Sequence, residues 1–78
     1  MKSVEASNPE AILFNQAKQL VADGKIEAAE TVFAELRERK GFAIRARRRR
    51  IDCLARLQRW QEAFTEAKYV MQHTQPVK

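Results

Sequence analysis

A run of arginines is the feature of this chain best suited to chemistry. Five of the six residues at positions 45–50 are arginines, and only Ala46 interrupts them. Guanidinium groups bind carboxylates and phosphates through paired hydrogen bonds, so the run could hold an anionic partner. Residues advance by about 100° each around a helix, so the run surrounds more than one turn. We therefore expect some arginines to reach solvent and others to pair with glutamates, the candidates being Glu27, Glu30, Glu35, Glu62 and Glu66.

The positive charge is concentrated in the middle of the sequence. The formal net charge of the chain is +5. Residues 37–59 contain ten basic residues and only two acidic ones, so this segment carries +8 and the rest of the chain −3. A basic block of this kind favours an acidic protein or peptide, or a nucleic acid, as partner.

Other groups that commonly do chemistry are sparse. Cys53 is the only cysteine and His73 the only histidine. The sequence has no metal-ligand spacing, phosphate-binding glycine loop or nucleophile motif. A lone cysteine is compatible with a reducing cytosol, and no apolar run is long enough for a membrane span. We therefore expect a cytoplasmic protein that is not an enzyme, with no catalytic residue, metal, cofactor or membrane contact.

Four helices are expected to position these groups in one all-α domain. Asn8 can cap a helix that begins at Pro9, and Gly24 can close it. These signals predict a first helix at residues 9–22. The apolar spacing predicts further helices at residues 26–39, from 42 or 43 to 58, and 61–73. Short connections imply antiparallel neighbours. The domain then spans residues 9–73, between a disordered arm (1–8) and a flexible tail (74–78).

The pattern of small and large residues occurs twice along the chain. Five positions of the first copy recur in the second at a constant spacing: Leu20, Gly24, Ile26, Ala29 and Leu36 become Leu54, Gln58, Trp60, Ala63 and Val70. We call this spacing, from Leu20 to Leu54, the repeat interval. Together with the residue types it resembles the tetratricopeptide repeat, a helix–turn–helix unit of roughly 34 residues that stacks on its own copies. The resemblance covers residues 10–76. The second copy departs from the family at five positions, which are Arg47, Arg50, Ile51, Gln58 and Ala67.

The resemblance implies a protein–protein interaction module, an adaptor or a chaperone-like protein. The first helix of each unit would line a groove that takes an acidic or carboxy-terminal peptide segment, or a partner helix. The residues that would bind the partner are Phe14, Lys18, Val21, Arg45, Arg48, Arg49 and Arg56. Phe14 and Val21 would supply the apolar contacts, and the basic residues would bind carboxylates.

Two alternatives to a peptide groove remain open at this point. The basic residues could form a solvated face with salt bridges inside the molecule. The second and third helices also loosely resemble a helix-turn-helix with an arginine-rich second helix, which would bind DNA or RNA.

The fourth helix is predicted to end the stack with an apolar edge. Tyr69, Val70 and Met71 lie there with no following helix to cover them, and two repeats are few for independent stability. This favours a homo-oligomer or docking on a larger protein. Alternatively, the three residues pack back against the third helix.

Overall fold

The structure, a computed structural model, describes residues 8–74 and consists of four helices. These are α1 (Pro9–Ala22), α2 (Ile26–Leu36), α3 (Ala43–Arg56) and α4 (Trp60–Thr74). The predicted all-α fold is therefore confirmed. Apart from residues 8 and 74, the predicted arm and tail lie outside the described part of the chain. In that part no helix has the length and apolar character needed to cross a bilayer.

The first helix begins and ends where its sequence signals predict. The Asn8 side chain accepts hydrogen bonds from the backbone N–H groups of Glu10 (2.8 Å) and Ala11 (3.3 Å), which satisfies two of the free donors at the helix start. Pro9 occupies the first helical position, where its missing N–H is not needed. After the helix, Gly24 has a φ of 82°, a conformation that glycine adopts without steric cost.

The second helix is shorter than predicted, because it ends at Leu36 rather than at residue 39. Arg37 donates from Nε to the carbonyl oxygen of Ala34 (3.1 Å), and the chain then turns. Gly41, with a φ of 85°, completes this turn and leads Phe42 into a buried position. The third helix ends two residues earlier than predicted. The fourth extends one residue further at each end.

The helices and their turns recur at the repeat interval. It separates the start of α1 from that of α3, and the start of α2 from that of α4. The α1–α2 turn has hydrogen bonds from Gly24 N–H to Val21 and from Lys25 N–H to Leu20. The α3–α4 turn repeats both bonds one interval later, with Gln58 at a φ of 62° in place of the glycine. A non-glycine residue adopts this left-handed conformation at some steric cost.

Each helix packs against the next one in sequence, so α3 contacts both α2 and α4. The apolar core lies among α1, α2, α3 and the turn before α3. It comprises Phe14, Ala17, Ala29, Phe33, Leu36, Phe42, Ala46 and Cys53. Ala29 and Ala63, which occupy equivalent positions in the two copies, are buried. The α3–α4 side of the molecule buries charged side chains as well.

Candidate functional site: a basic face

The arginine run on α3 divides between two sides of the helix. Arg47 and Arg50 are three residues apart, so they project from the same side, toward carboxylates of the neighbouring helices. Arg50 is buried and Arg47 half-buried. Arg45, Arg48 and Arg49 project from another side of the helix and are exposed. The run is therefore two structural features and not one continuous cluster.

The inward arginines form a buried network with glutamates, which we call the ionic core. It consists of Glu30 of α2, Arg47 and Arg50 of α3, Glu66 of α4, and Arg37. Arg50 donates from Nε to Glu30 (2.7 Å) and from Nη1 to Glu66 (2.6 Å). Glu66 accepts two further hydrogen bonds of 2.8 Å each, from Arg37 and from Arg47. One glutamate thus joins three arginines, and one arginine bridges α2 and α4.

The hydrogen bonds of the ionic core favour the charged forms of Arg50 and Glu66 in spite of their burial. Burial by itself would lower the pKa of Arg50, but the hydrogen bonds to Glu30 and Glu66 outweigh it, so the pKa is raised. Burial would likewise raise the pKa of Glu66, but hydrogen bonds from Arg50 and Arg47 reverse the effect and lower it. Arg50 and Glu66 therefore face each other as an ion pair at neutral pH.

A concavity of about 470 Å³ beside the ionic core is lined by groups that are already paired. Its polar wall includes Arg37, Arg50, Glu62 and Glu66. Glu62 accepts two hydrogen bonds from Arg59, of 2.6 and 3.1 Å, and the bond from Arg59 lowers the pKa of Glu62. Since its charges are neutralised within the molecule, this concavity offers little attraction to a charged ligand.

The outward arginines of α3 and an exposed lysine of α1 make up what we call the basic face: Lys18, Arg45, Arg48 and Arg49. The Lys18 Nζ lies 5.7 Å from the centroid of the Phe14 ring. The Cζ atoms of Arg45 and Arg49 lie 5.2 and 5.9 Å from the same centroid, and that of Arg45 also lies 4.8 Å from the Phe42 ring. The fold therefore brings Phe14, Lys18, Arg45 and Arg49 together.

The basic face is not neutralised from within the described part of the molecule. In residues 8–74, no carboxylate forms an ion pair with any of its four side chains. Arg56, which was predicted to join them, pairs instead with Asp52 at 3.3 Å. Both side chains of that pair are more than half exposed, so the pair is weak. Lys18, Arg45 and Arg49 are like charges around one ring, and an anion bound between them would relieve their repulsion.

The structure corrects the predicted role of Phe14. This ring is only 6% exposed. It packs edge-on against Phe33 at 5.5 Å and lies 5.7 Å from Phe42. Phe14 therefore belongs to the apolar core and supports the cations above it, instead of offering an open apolar pocket. Val21 is half-buried beside the same core.

The three residues predicted to form an apolar edge on α4 differ in exposure. Val70 is buried, which fits the alternative in which this residue packs back into the molecule and not the exposed edge. Tyr69 is half-buried, with the Cζ of Arg47 3.6 Å from its ring centroid and the ring of His73 stacked at 3.9 Å. Met71 is 57% exposed, as expected for an edge.

Two large apolar residues of α4 are exposed. Trp60 is 63% exposed and Phe64 66% exposed. Spacings of three and four residues place them on one side of the helix with Ala67 and Met71. We call these four residues the α4 stripe: Trp60, Phe64, Ala67 and Met71. The apolar periodicity of α4 was not enough to find it, because buried and exposed apolar residues adjoin around the helix.

The remaining chemically active side chains do not form a second site. Cys53 is fully buried, and the loss of solvent, together with the charges of Asp52 and Glu30, raises the pKa of its thiol. His73 is exposed, and its Nδ1 lies 2.8 Å from the carbonyl oxygen of Tyr69. Within residues 8–74, no group of three or more histidine, cysteine, aspartate or glutamate side chains could hold a metal ion.

Comparison with known proteins gives no relative, since no family model, curated protein or solved structure matches the chain. The likeness that the molecule does show is internal. Its two halves share helix starts and turn hydrogen bonds at the repeat interval.

Proposed function

We propose that this chain is a small protein–protein interaction module, an adaptor or a chaperone-like protein built from two tetratricopeptide-like repeats. It holds an acidic peptide segment, such as a carboxy terminus or an acidic partner helix, on the basic face. One observation carries the proposal. Lys18, Arg45 and Arg49 surround a buried ring with no carboxylate partner in residues 8–74. An acidic segment would supply the missing anions.

The division of the arginine run supports a bound carboxylate. The glutamates that could have neutralised the run, Glu30 and Glu66, are held by Arg50 and its neighbours in the ionic core. The outward arginines therefore retain donors for a ligand. Each guanidinium can bind a carboxylate through two parallel hydrogen bonds, and the rings below restrict where Arg45 and Arg49 can move.

Two features favour a peptide over a nucleic acid. Proteins that bind single strands stack bases on exposed aromatic rings, but Phe14 and Phe42, the rings of this face, are buried. A recognition helix must project into the major groove of DNA, whereas α3 is packed on both sides, by α2 and by α4. An arginine-rich nucleic-acid-binding protein remains the second candidate, because phosphates are equally suited to these cations.

The proposal is tested by fluorescence anisotropy with a labelled, glutamate-rich peptide. The comparison ligands are the same peptide with glutamine for glutamate, a single-stranded RNA and a duplex DNA. We expect the acidic peptide to bind tightest near physiological salt. Replacing Arg49 by glutamine should weaken its binding about tenfold, which corresponds to about 1.4 kcal/mol.

The matched control is Arg39→Gln, which removes an exposed arginine from the turn after α2, outside the basic face. Its affinity for the peptide should stay within about twofold of that of the unaltered chain, since the exposed Arg39 is screened by salt and pairs with Glu35 at 3.9 Å. Equal loss in both variants would mean that net charge alone binds the peptide. Tighter binding of RNA or DNA, with a steep fall as salt rises, would favour the second candidate.

A further inference from the structure

The first and last helices each have an exposed face. The equivalent face in the other copy of the repeat is covered by a neighbouring helix. The α4 stripe is one of these exposed faces. Its counterparts one repeat interval earlier are Ile26, Glu30, Phe33 and Arg37. These residues of α2 and its C-terminal end are buried or half-buried, with Glu30 bound to Arg50 of α3 and Phe33 fully enclosed in the apolar core. The α4 stripe is therefore equivalent to the surface of α2 that packs against α3.

The second free face lies on α1. Within α3, the residues directed at α2 are Ala46, Arg50 and Cys53, all buried. Their counterparts one repeat interval earlier define what we call the α1 face: Ile12, Gln16 and Gln19. All three are exposed, and Ile12 is the largest of the exposed apolar residues of α1, at 43%. No helix precedes α1 in the described residues to cover this face.

The two free faces match each other because neither carries a charge where the internal joint has its ion pair. At the internal joint between α2 and α3, the buried ion pair is Glu30 with Arg50. On the free faces, Phe64 occupies the position of Glu30 and Gln16 the position of Arg50. Both charges are thus replaced together by uncharged side chains. A charge retained on one face alone would be buried without a partner, at a large free-energy cost.

We propose that the α4 stripe is a docking surface for the α1 face of a second copy of this chain. The second α1 would take the place on α4 that α3 takes on α2, which joins the copies head to tail. Such a contact uses different surfaces on the two partners, so each pair keeps one free face at either end. Growth beyond a dimer follows, and the basic faces of successive copies form one longer surface.

Sedimentation velocity of the full chain from micromolar to millimolar concentration tests the proposal. The unaltered chain should show an average mass that rises past the dimer. Phe64→Glu and Ile12→Glu should each stay monomeric, because each buries a lone charge in the contact. Both positions are exposed in the monomer, so circular dichroism should remain helical. If either variant fails to fold, Met71→Glu and Gln16→Glu replace them. Gln72→Glu, on the exposed part of α4 outside the stripe, is the control and should associate normally.

Two mixing and rescue experiments identify the head-to-tail geometry. Phe64→Glu retains an intact α1 face and Ile12→Glu an intact α4 stripe, so an equimolar mixture should form a one-to-one dimer and nothing larger. The double variant Gln16→Arg with Phe64→Glu recreates the charge pair of the internal joint and should regain association.

Three results would overturn the proposal. The first is a monomer at every concentration of the unaltered chain. The second is association of Ile12→Glu equal to that of the unaltered chain, because this would indicate a symmetric contact between two α4 stripes. The third is a mixture of the two blocked variants that stays monomeric.

Discussion

The inward and outward arginines of α3 are the same residue type on the same helix, yet their surroundings differ completely. Arg50 touches Glu30 and Glu66 and is almost fully enclosed. Arg45 lies over two aromatic rings and is exposed. The carboxylates of neighbouring helices therefore determine which arginines are structural. Those without such a neighbour are left for a ligand.

The ionic core has a different energetic character from the apolar core. Burying ions removes their hydration, and the hydrogen bonds between them only compensate for this when the set is complete. Removal of one member should therefore destabilise the fold strongly, whereas removal of a matched pair should not. No such coupling is expected between the exposed arginines.

The largest effect is expected from Glu66→Ala. This change leaves Arg37, Arg47 and Arg50 without their shared acceptor. The free energy of unfolding should fall by about 3–5 kcal/mol, enough to remove most of the stability of a small domain. Urea denaturation followed by circular dichroism measures it. A loss below about 1 kcal/mol, as for an exposed ion pair, would show that the network contributes little.

The next largest effect is expected from Arg50→Met, which is compared with a double variant that also replaces Glu30. Arg50→Met leaves the buried Glu30 with Arg59, at 3.5 Å, as its one ion-pair partner among residues 8–74, and should cost about 3 kcal/mol of unfolding free energy. The double variant Glu30→Met with Arg50→Met should lose less than the single one, because no buried charge is left alone. The same urea titration decides this. Additive losses would contradict a coupled ionic core.

The stability should also fall in acid because of Glu66. Its pKa is lower in the folded chain than the usual 4.5, so the unfolded chain takes up a proton first as the pH falls. The stabilisation is therefore complete above pH 4.5 and is lost as the pH falls through the folded pKa. Urea titrations from pH 7 to 3 should show the difference between the unaltered chain and Glu66→Gln shrinking. A constant difference would mean that Glu66 is not titrating in this way.

The smallest effect on stability is expected at the outward arginines. Arg45→Gln removes cation–π contacts with Phe14 and Phe42 at an exposed position. It should lower the unfolding free energy by about 0.5–1 kcal/mol. Thermal unfolding by circular dichroism is sensitive enough to detect this. A loss as large as that of Arg50→Met would mean that Arg45 is also a structural residue.

The sequence predicted the elements that carry strong local signals. Asn8, Pro9 and Gly24 define the limits of α1, and the apolar spacing predicted the starts of the other three helices to about one residue. The end of α2 was wrong by three residues, because residues 37–40 have good helix propensity and tertiary contacts override it. Arg37 turns away there to reach Glu66 of α4, at 2.8 Å.

The candidate site was predictable in part. The glutamate partners of the arginine run were named, and Glu30, Glu62 and Glu66 do pair with arginines. Which arginines the glutamates bind depends on how α4 is rotated against α3, and no local pattern encodes that rotation. For the same reason the sequence did not predict that Phe64 is exposed and Val70 is buried. Both are apolar residues of one helix, and only the packing decides which is covered.

The division of the arginine run into inward and outward residues is tested most directly by comparing Arg47→Gln with Arg49→Gln. The two changes are identical in charge and lie two residues apart. Each variant is measured twice, for unfolding free energy in urea and for affinity to the glutamate-rich peptide while folded. We predict that Arg47→Gln lowers stability strongly and leaves the affinity of the folded chain unchanged. Arg49→Gln should lower the unfolding free energy by less than about 1 kcal/mol and weaken binding about tenfold. Equal effects of the two variants on both quantities would contradict the division of the arginine run.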